Sequence, residues 1–154
     1  MPSSDLIFTF QQFSSFAIHF IRFAAEIRPS YDGDRHLLPR GDITNFTELI
    51  DVNNNFDPVT GIFSVKEDGE EGVYTFDVTC RKYGNNETKA WIEIFKNQDV
   101  QNIFAEEDVE HYGIMSFVFT LHLQKGDEVT LNNKLADSVY VGGFHPFAFN
   151  GNKI

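Results

Sequence analysis

Residues 72–81, GVYTFDVTCR, set the fold class of this chain because their side chains alternate between apolar and polar. One face of the segment carries Tyr74, Phe76, Val78 and Cys80, and the positions between them are Thr75, Asp77, Thr79 and Arg81. Successive side chains of a β-strand point to opposite faces of a sheet, whereas a helix repeats its apolar positions about every three to four residues. The segment is therefore predicted to be a strand with one buried and one solvated face.

The same two-residue period recurs elsewhere, and helical periodicity is almost absent. One face of residues 115–123 carries Met115, Phe117, Phe119, Leu121 and Leu123. Shorter apolar runs occur within 129–131 and 139–149, and turns rich in Gly, Asn, Asp and Pro separate the runs. The 17 phenylalanines also favour strands, where flat bulky side chains fit a half-buried surface. Many short strands with frequent turns predict an all-β sandwich or barrel.

Residues 89–97, KAWIEIFKN, differ from the other predicted strands because apolar side chains fall on both faces. These side chains are Trp91, Ile92, Ile94 and Phe95. A strand that is apolar on both sides is usually covered on both sides. We therefore expect a second layer or a partner subunit to cover this strand.

The size and charge of the chain limit its possible partners. Its 154 residues suit one domain, and no segment is long and apolar enough to span a bilayer. The net charge of −11 repels nucleic acid and anionic membranes and favours cations, unless it serves only solubility. Residues 1–20 are interpreted as a poorly defined leader or an extra strand, and residues 21–150 as the domain. The single cysteine, Cys80, is predicted to be a buried thiol, with an intermolecular disulfide as the alternative.

The reactive side chains form no enzyme motif. The histidines are scattered without metal-ligand spacing, at His19, His36, His111, His122 and His145. No serine elbow, phosphate-binding glycine loop or Cys-His pair is present in the sequence. We therefore expect a protein that binds rather than catalyses.

One acidic cluster is the candidate metal site of the sequence. It comprises Glu106, Glu107, Asp108 and Glu110. Calcium prefers oxygen ligands, so a loop with four carboxylates in five residues is compatible with a calcium site. The alternative is a solvated acidic loop.

Recognition by a β-sandwich is expected from its loops, which vary freely on a rigid scaffold. The candidate loops are 28–42, 66–72, 82–88 and 132–138. A polar, aromatic-containing edge suited to a sugar or an acidic group consists of Arg81, Lys82, Tyr83 and Asn85. The alternative is that these are exposed turn residues. Asn45 and Asn86 begin two N-glycosylation sequons and are the glycosylation candidates.

Several motifs in sequence order resemble those of the C1q domain, the globular head of complement subcomponent C1q. Residues 56–63, FDPVTGIF, are similar to its signature of an aromatic residue, Asp/Asn-Pro and Thr-Gly, and residues 72–76 to its Gly-x-Tyr-x-Phe strand. Three further matches are FKN at 95–97, the Leu-x-Leu-x-x-Gly-Asp-x-Val hairpin at 121–129, and Gly-Phe at 143–144. Together the motifs cover roughly residues 21–149.

The chain also departs from the family pattern. Three extra residues within Asp68 to Glu71 lengthen one loop, and an aromatic residue is displaced to Phe46. His145-Pro146 replaces a common Leu-Leu, which puts the pairing of the final strand in doubt.

The resemblance implies a fold and an assembly. The implied fold is a ten-stranded jelly-roll β-sandwich of two five-stranded antiparallel sheets, and the implied assembly is a homotrimer. Its interface is predicted to include Trp91, Phe95, Phe117 and Phe119. Some members of the family hold calcium in a corresponding acidic loop, so calcium is the one cofactor considered.

The resemblance also implies an extracellular binding module. The first hypothesis is a secreted, lectin-like recognition protein of innate immunity that binds glycans or other microbial or self surface ligands through trimer loops. The second is a trimeric signalling ligand of the tumour-necrosis-factor type that binds a cell-surface receptor. The third is a structural trimerisation head of an extracellular protein.

Overall fold

The computed structural model describes residues 20–28, 36–82, 90–106, 114–135, 139–141 and 146–154. Regular structure in these residues consists of thirteen β-strands. In chain order they are β1 (Arg22–Ile27), β2 (His36–Leu37), β3 (Gly41–Asp42), β4 (Thr47–Asp51), β5 (Phe56–Asp57), β6 (Ile62–Ser64), β7 (Gly72–Lys82), β8 (Ala90–Lys96), β9 (Asp99–Glu106), β10 (Ile114–Leu123), β11 (Glu128–Asn133), β12 (Val139–Val141) and β13 (Phe147–Lys153).

The strands form two antiparallel sheets. In sheet I the order is β2-β12-β7-β13-β1-β4, and β10 also pairs with β7. In sheet II the order is β5-β6-β11-β8-β9, and β3 also pairs with β11. The all-β fold with two antiparallel sheets is therefore confirmed. The count of ten strands is too low for the described residues, because β2, β3 and β12 add short segments of two or three residues.

The alternating segments form a central pair of strands in sheet I. β7 and β10 pair over ten positions without a register shift, from Ile114 opposite Arg81 to Leu123 opposite Gly72. All four apolar side chains of the 72–81 pattern are buried, as predicted. Cys80 is one of them and is a reduced cysteine in the core.

An aromatic core joins the two sheets. Phe23 of sheet I stacks on Phe56 and Phe63 of sheet II, with ring centroids 4.6 Å and 5.2 Å apart. Phe76 stacks on Phe119 within sheet I at 5.1 Å. Stacked and edge-on aromatic pairs add roughly 0.5–1.5 kcal/mol each beyond their buried area. The high phenylalanine content of the sequence therefore serves the packing between the layers.

The FDPVTGIF segment forms the turn between β5 and β6. The Asp57 side chain accepts a hydrogen bond from the Val59 N–H at 2.9 Å, and the Asp57 carbonyl accepts one from Gly61 at 2.8 Å. Gly61 has a φ of 73°, and a Cβ at this position would lie 2.2 Å from the Ile43 carbonyl oxygen. Only glycine fits both the left-handed backbone and this close approach.

The lengthened loop before β7 is organised around a buried carboxylate. Glu70 is only 3% exposed, and its Oε1 accepts hydrogen bonds from Asn55 Nδ2 at 2.9 Å and from two main-chain N–H groups, those of Lys66 and Glu67. The Tyr74 hydroxyl donates to the Glu70 carbonyl oxygen at 2.5 Å. Burial raises the pKa of this hydroxyl, so it stays a donor across the ordinary pH range. The extra residues therefore form an ordered loop.

The final strand pairs on both sides despite Pro146. β13 begins at the next residue, Phe147, and is antiparallel to both β7 and β1. Its N–H at Lys153 donates to the carbonyl oxygen of Ile21 at 3.0 Å, so the first and last strands are neighbours. Proline lies outside the ladder, where its missing N–H costs nothing.

Candidate functional site

The two ends of the sandwich differ in what they carry. The register places Ile27 opposite Phe147 and Ile114 opposite Arg81, and we call this the loop end. Gly72 lies opposite Leu123 at the other end, which we call the turn end. The strand ends that flank residues 29–35, 83–89 and 107–113 all belong to the loop end.

The candidate loops do not all lie together. Leu38 donates its N–H to the Val139 carbonyl at 2.9 Å, and its own carbonyl accepts from Asn133 Nδ2 at 3.2 Å. The described ends of loops 28–42 and 132–138 therefore meet at the loop end. Loop 66–72 lies at the turn end instead, where the Lys125 ammonium contacts Asp68 at 2.8 Å. A single ligand cannot contact all four loops of one subunit.

Arg81 is the only member of the predicted polar edge whose side chain the structure describes. Its Nη1 donates to the Tyr140 hydroxyl at 3.2 Å, and its buried Nε has no acceptor among the described residues. A small cavity of about 120 Å³ adjoins it, lined by Thr79, Cys80, Arg81, Ile114, Pro146 and Ala148. Tyr83 and Asn85 lie outside the described residues, as does the side chain of Lys82.

The acidic candidate site is described only at its first residue. Glu106 ends β9, where its main chain lies opposite Ala90. Glu107, Asp108 and Glu110 lie outside the described residues. Within the described ranges, no three His, Cys, Asp or Glu side chains are arranged to hold a metal ion. The calcium site therefore stays a prediction.

The four predicted interface aromatics do not form one surface. Ala90, Ile92 and Ile94 of β8 face the core, so Trp91 and Phe95 face outward from sheet II. Phe117 and Phe119 face the core from sheet I, and Phe119 is only 4% exposed. Phe117 is only partly buried. The four side chains therefore do not share one face, and their part in a subunit interface stays a prediction.

Three exposed apolar side chains on the outer face of sheet I were not singled out from the sequence. Val118 is 65% exposed, and Ile114 on the same face of β10 is also exposed. Val73 of the adjacent β7 is exposed as well. The signal was present, because Val118 is an apolar residue on the otherwise polar side of the 115–123 alternation. Polar residues lie between them, since Val118 is opposite Asp77 and is flanked on this face by Ser116 and Thr120, so they are separate apolar contacts and not a continuous patch.

Asn45, one of the glycosylation candidates, is exposed beside the FDPVTGIF turn. Its N–H donates to the Val59 carbonyl at 3.1 Å, and its φ is 62°. Asn86 lies outside the described residues. Glycosylation at either asparagine stays a prediction.

Comparison with known proteins agrees with this architecture. Residues 34–152 match the C1q domain. The structure is similar to the globular domain of zebrafish complement 1qA, with a TM-score of 0.64 and 21% identity over 87% of this chain and 97% of that one. It is also similar to murine APRIL (TM-score 0.62, 10% identity, 88% and 99% covered) and to Eiger TNF from S. frugiperda (TM-score 0.62, 14% identity, 88% and 92% covered).

The fold and the match together define the class of protein. Two opposed antiparallel sheets around an aromatic core make a jelly roll like those of the C1q domain and of APRIL. C1q domains are non-enzymatic recognition or signalling modules. The chain belongs to the C1q domain family, because the match spans most of its length. Among the described residues, none forms a helix that would be long and apolar enough to cross a membrane.

Proposed function

We propose that this chain is a secreted, homotrimeric recognition protein that binds glycans or other microbial or self surface ligands through the loop end. The observation that carries the proposal is the C1q-domain match over residues 34–152, because proteins with this domain are typically extracellular. The fold supports it by presenting a rigid scaffold whose variable loops are the natural working surface.

Arg81 supports a polar ligand at the loop end. A guanidinium offers five N–H donors in a planar fork, and here one buried donor has no acceptor among the described residues. A buried donor without a partner costs roughly 1–3 kcal/mol, so a ligand oxygen that reaches it gains affinity. A glycan hydroxyl or carboxylate provides such an oxygen.

Two exposed apolar side chains of β10 favour the trimer. Val118 and Ile114 lie on the outer face of sheet I, and burying them between subunits removes apolar area from water. Sedimentation velocity and multi-angle light scattering test the assembly directly. We expect a mass three times the chain's 17.6 kDa. A stable monomer at micromolar concentration would contradict the trimer.

A glycan array with and without calcium tests the ligand class. We expect glycan binding, and we expect Arg81→Ala to weaken it. The control is Lys125→Ala, which removes an exposed cation at the turn end and should leave binding unchanged. If no glycan binds under either condition, recognition of sugars at the loop end is wrong. Calorimetry with calcium tests the acidic loop, with Glu107→Gln and Asp108→Asn as the variants. No heat and no melting shift in excess calcium would reject that site.

The second candidate function is that of a receptor-binding ligand of the tumour-necrosis-factor type. It is favoured by the structural similarity to Eiger TNF, whose TM-score of 0.62 is close to the 0.64 of the complement domain. Pull-down of cell-surface proteins with the trimer tests this candidate. If a single glycoprotein is captured, and if it is still captured after its glycans are removed enzymatically, the result would favour a signalling ligand over a lectin-like protein.

A further inference from the structure

A groove of about 570 Å³ lies on the outer face of sheet II, on the opposite side of the sandwich from the exposed apolar side chains of β10. It is lined by Asp42, Ile62, Phe95, Asn97, Gln98, Gly126, Glu128, Thr130 and Asn132. Its volume falls within the roughly 300–1,000 Å³ that is typical of small-ligand sites. The groove extends along the sheet face toward the turn end, away from the loop end of the proposed function.

The floor of the groove is partly apolar. Thr130 of β11 is paired with Phe95 of β8, and Ile62 of β6 lies in the adjacent strand. The Phe95 ring is half-buried on this face, so the groove includes part of an aromatic surface. The negative π-face of an aromatic ring attracts the slightly positive C–H groups of a flat aliphatic ring.

The walls of the groove carry oxygen and amide groups. Asp42 accepts a hydrogen bond from Asn132 Nδ2 at 3.1 Å, which aligns these two side chains along one wall. Glu128 and Gln98 lie on the turn-end side of the groove, where Asn97 forms hydrogen bonds with Asp127 and Glu128. Neighbouring carboxylate and amide groups are suited to the adjacent hydroxyl groups of a sugar, each of which both donates and accepts.

The electrostatics of the groove select against anions. The described residues that line it include two carboxylates, Asp42 and Glu128, and no Lys, Arg or His. Glu93, which is only 8% exposed, lies in the same row as Asn132 on this face. No described residue makes a hydrogen bond or ion pair with its carboxylate. A ligand that is negatively charged would meet uncompensated repulsion here, whereas hydroxyl and ammonium donors are attracted.

We propose that this groove binds a short saccharide without negative charge, and that it binds an amino sugar more tightly than a neutral one. The mixed lining fits the two sides of a sugar ring, with C–H groups on Phe95 and hydroxyl groups on the walls. An amino group adds a charge-assisted hydrogen bond to Asp42 or Glu128. The choice of a saccharide rests on the proposed recognition of glycans, but the groove is a separate site from the loop end.

Titration of the full chain, followed by backbone NMR, tests the proposal. The probes are a glucosamine trimer, an N-acetylglucosamine trimer, cellotriose and sialyllactose, with trilysine as the basic-peptide control. We expect shifts at Phe95 and Thr130 with the first three, the tightest binding for the glucosamine trimer, and no shifts at these residues with sialyllactose. Phe95→Ala is expected to weaken binding by about ten-fold or more, because the sugar loses one stacking contact and the order that this contact imposes on it.

Matched variants separate the groove from general effects. Leu49→Ala removes an exposed apolar side chain from sheet I and should leave binding unchanged. Glu128→Lys should abolish the preference for the amino sugar, whereas Glu48→Lys, the same charge change at an exposed residue of sheet I, should not.

Three outcomes would overturn the proposal, the third of which comes from the variants. One is the absence of shifts at Phe95 and Thr130 with all three uncharged or amino probes. Another is binding of trilysine but of none of the sugars, which would mean a site for basic peptides. Glycan binding that survives Phe95→Ala and is lost in Arg81→Ala would refute the groove while leaving the proposed function intact.

Discussion

Asn97 and Glu128 exchange two hydrogen bonds, one from the Asn97 N–H to the Glu128 carbonyl oxygen at 2.9 Å and one from the Glu128 N–H to Asn97 Oδ1 at 2.8 Å. Asn97 Nδ2 also donates to Asp127 Oδ1 at 2.7 Å. One side chain thus fixes the turn between β8 and β9 against the start of β11. This contact holds the turn end of sheet II and that side of the groove.

Replacing Asn97 by glycine is expected to lower the free energy of unfolding by about 1–2 kcal/mol, because two side-chain hydrogen bonds are lost. Glycine suits the φ of 53° at this position, so the change isolates the side-chain contribution. The control is Asn54→Gly, where φ is 60° and the side chain makes no hydrogen bond within the described residues. Urea unfolding measures both, and equal losses would contradict the role of Asn97.

At Gln98, the residue after Asn97, we expect a glycine substitution to stabilise the fold instead of destabilising it. Gln98 has a φ of 76°, a left-handed conformation that costs a residue with a Cβ roughly 1–2 kcal/mol relative to glycine. Gln98→Gly is therefore expected to raise the free energy of unfolding by about 0.5–1 kcal/mol, after the added freedom of glycine in the unfolded chain is subtracted. Gln101→Gly, in the extended backbone of β9, should lower it instead. A loss of stability at both sites would show that the backbone of Gln98 is not strained.

Two glycines with positive φ separate backbone strain from crowding. Gly61→Ala places a methyl group against the Ile43 carbonyl oxygen, whereas the same change at Gly126 meets nothing within 4 Å. We expect a loss of about 3 kcal/mol or more at Gly61, and a loss of about 1–2 kcal/mol from the left-handed backbone alone at Gly126. Thermal and urea unfolding give the order of the two losses. Equal effects would mean that the turn relaxes away from Ile43.

The proposed trimer predicts that a charge on the outer face of β10 weakens assembly. Val118→Glu is expected to convert the trimer to monomers, because a buried carboxylate without a partner destabilises an interface by several kcal/mol. Val59→Glu is the matched control, since Val59 is 67% exposed in the turn between β5 and β6 and Val118 is 65% exposed. Light scattering measures the mass of both variants. An intact trimer with Val118→Glu would place the interface elsewhere.

Glu48 predicts a pH dependence of stability. A hydrogen bond with the Asp51 carboxyl, assisted by partial burial and by the charges of Asp51 and Asp57, raises the pKa of Glu48 above its ordinary value of 4.5. The folded state therefore binds this proton more tightly than the unfolded state does. The stabilisation is complete below pH 4.5 and is lost as the pH rises through the higher folded pKa.

Glu48→Gln tests this linkage because an amide donates to Asp51 at every pH. We expect the free energy of unfolding of the variant, relative to that of the native chain, to increase from pH 4 to pH 7, as measured by urea unfolding at both values. In an Asp51→Asn background, the same substitution should show a smaller gain. A stability difference between native and variant chains that does not change with pH would refute the shared proton.

The parts of the fold that sequence could predict are those with a regular pattern. β7 and β10 alternate over about ten residues, and their faces follow directly from that period. The strands β2, β3 and β12 have two or three residues each, which is too short for any period to appear. The burial of Glu70 also has no sequence signal, since its donors come from a loop whose path depends on the folded core.

The candidate sites also divide into features that the sequence predicts and features that depend on tertiary packing. Alternation correctly groups Phe117 with Phe119, but it does not indicate whether the shared face meets the other sheet or a partner subunit. The groove was not predictable, because Asp42, Phe95 and Thr130 are distant in sequence and meet only through the pairing of β3, β11 and β8. Arg81 was predictable as a polar residue at a strand end, but its unpartnered Nε was not.

The neighbouring positions of β1 and β13 also determine how the domain presents itself on a support. Residues 21 and 153 are joined by a hydrogen bond at the turn end, so the chain enters β1 and leaves β13 on the same side of the sandwich. A molecule immobilised on a bead through Phe20→Cys or through Ile154→Cys would therefore point the loop end outward. Surface-plasmon measurements made with the two attachments should give the same affinity.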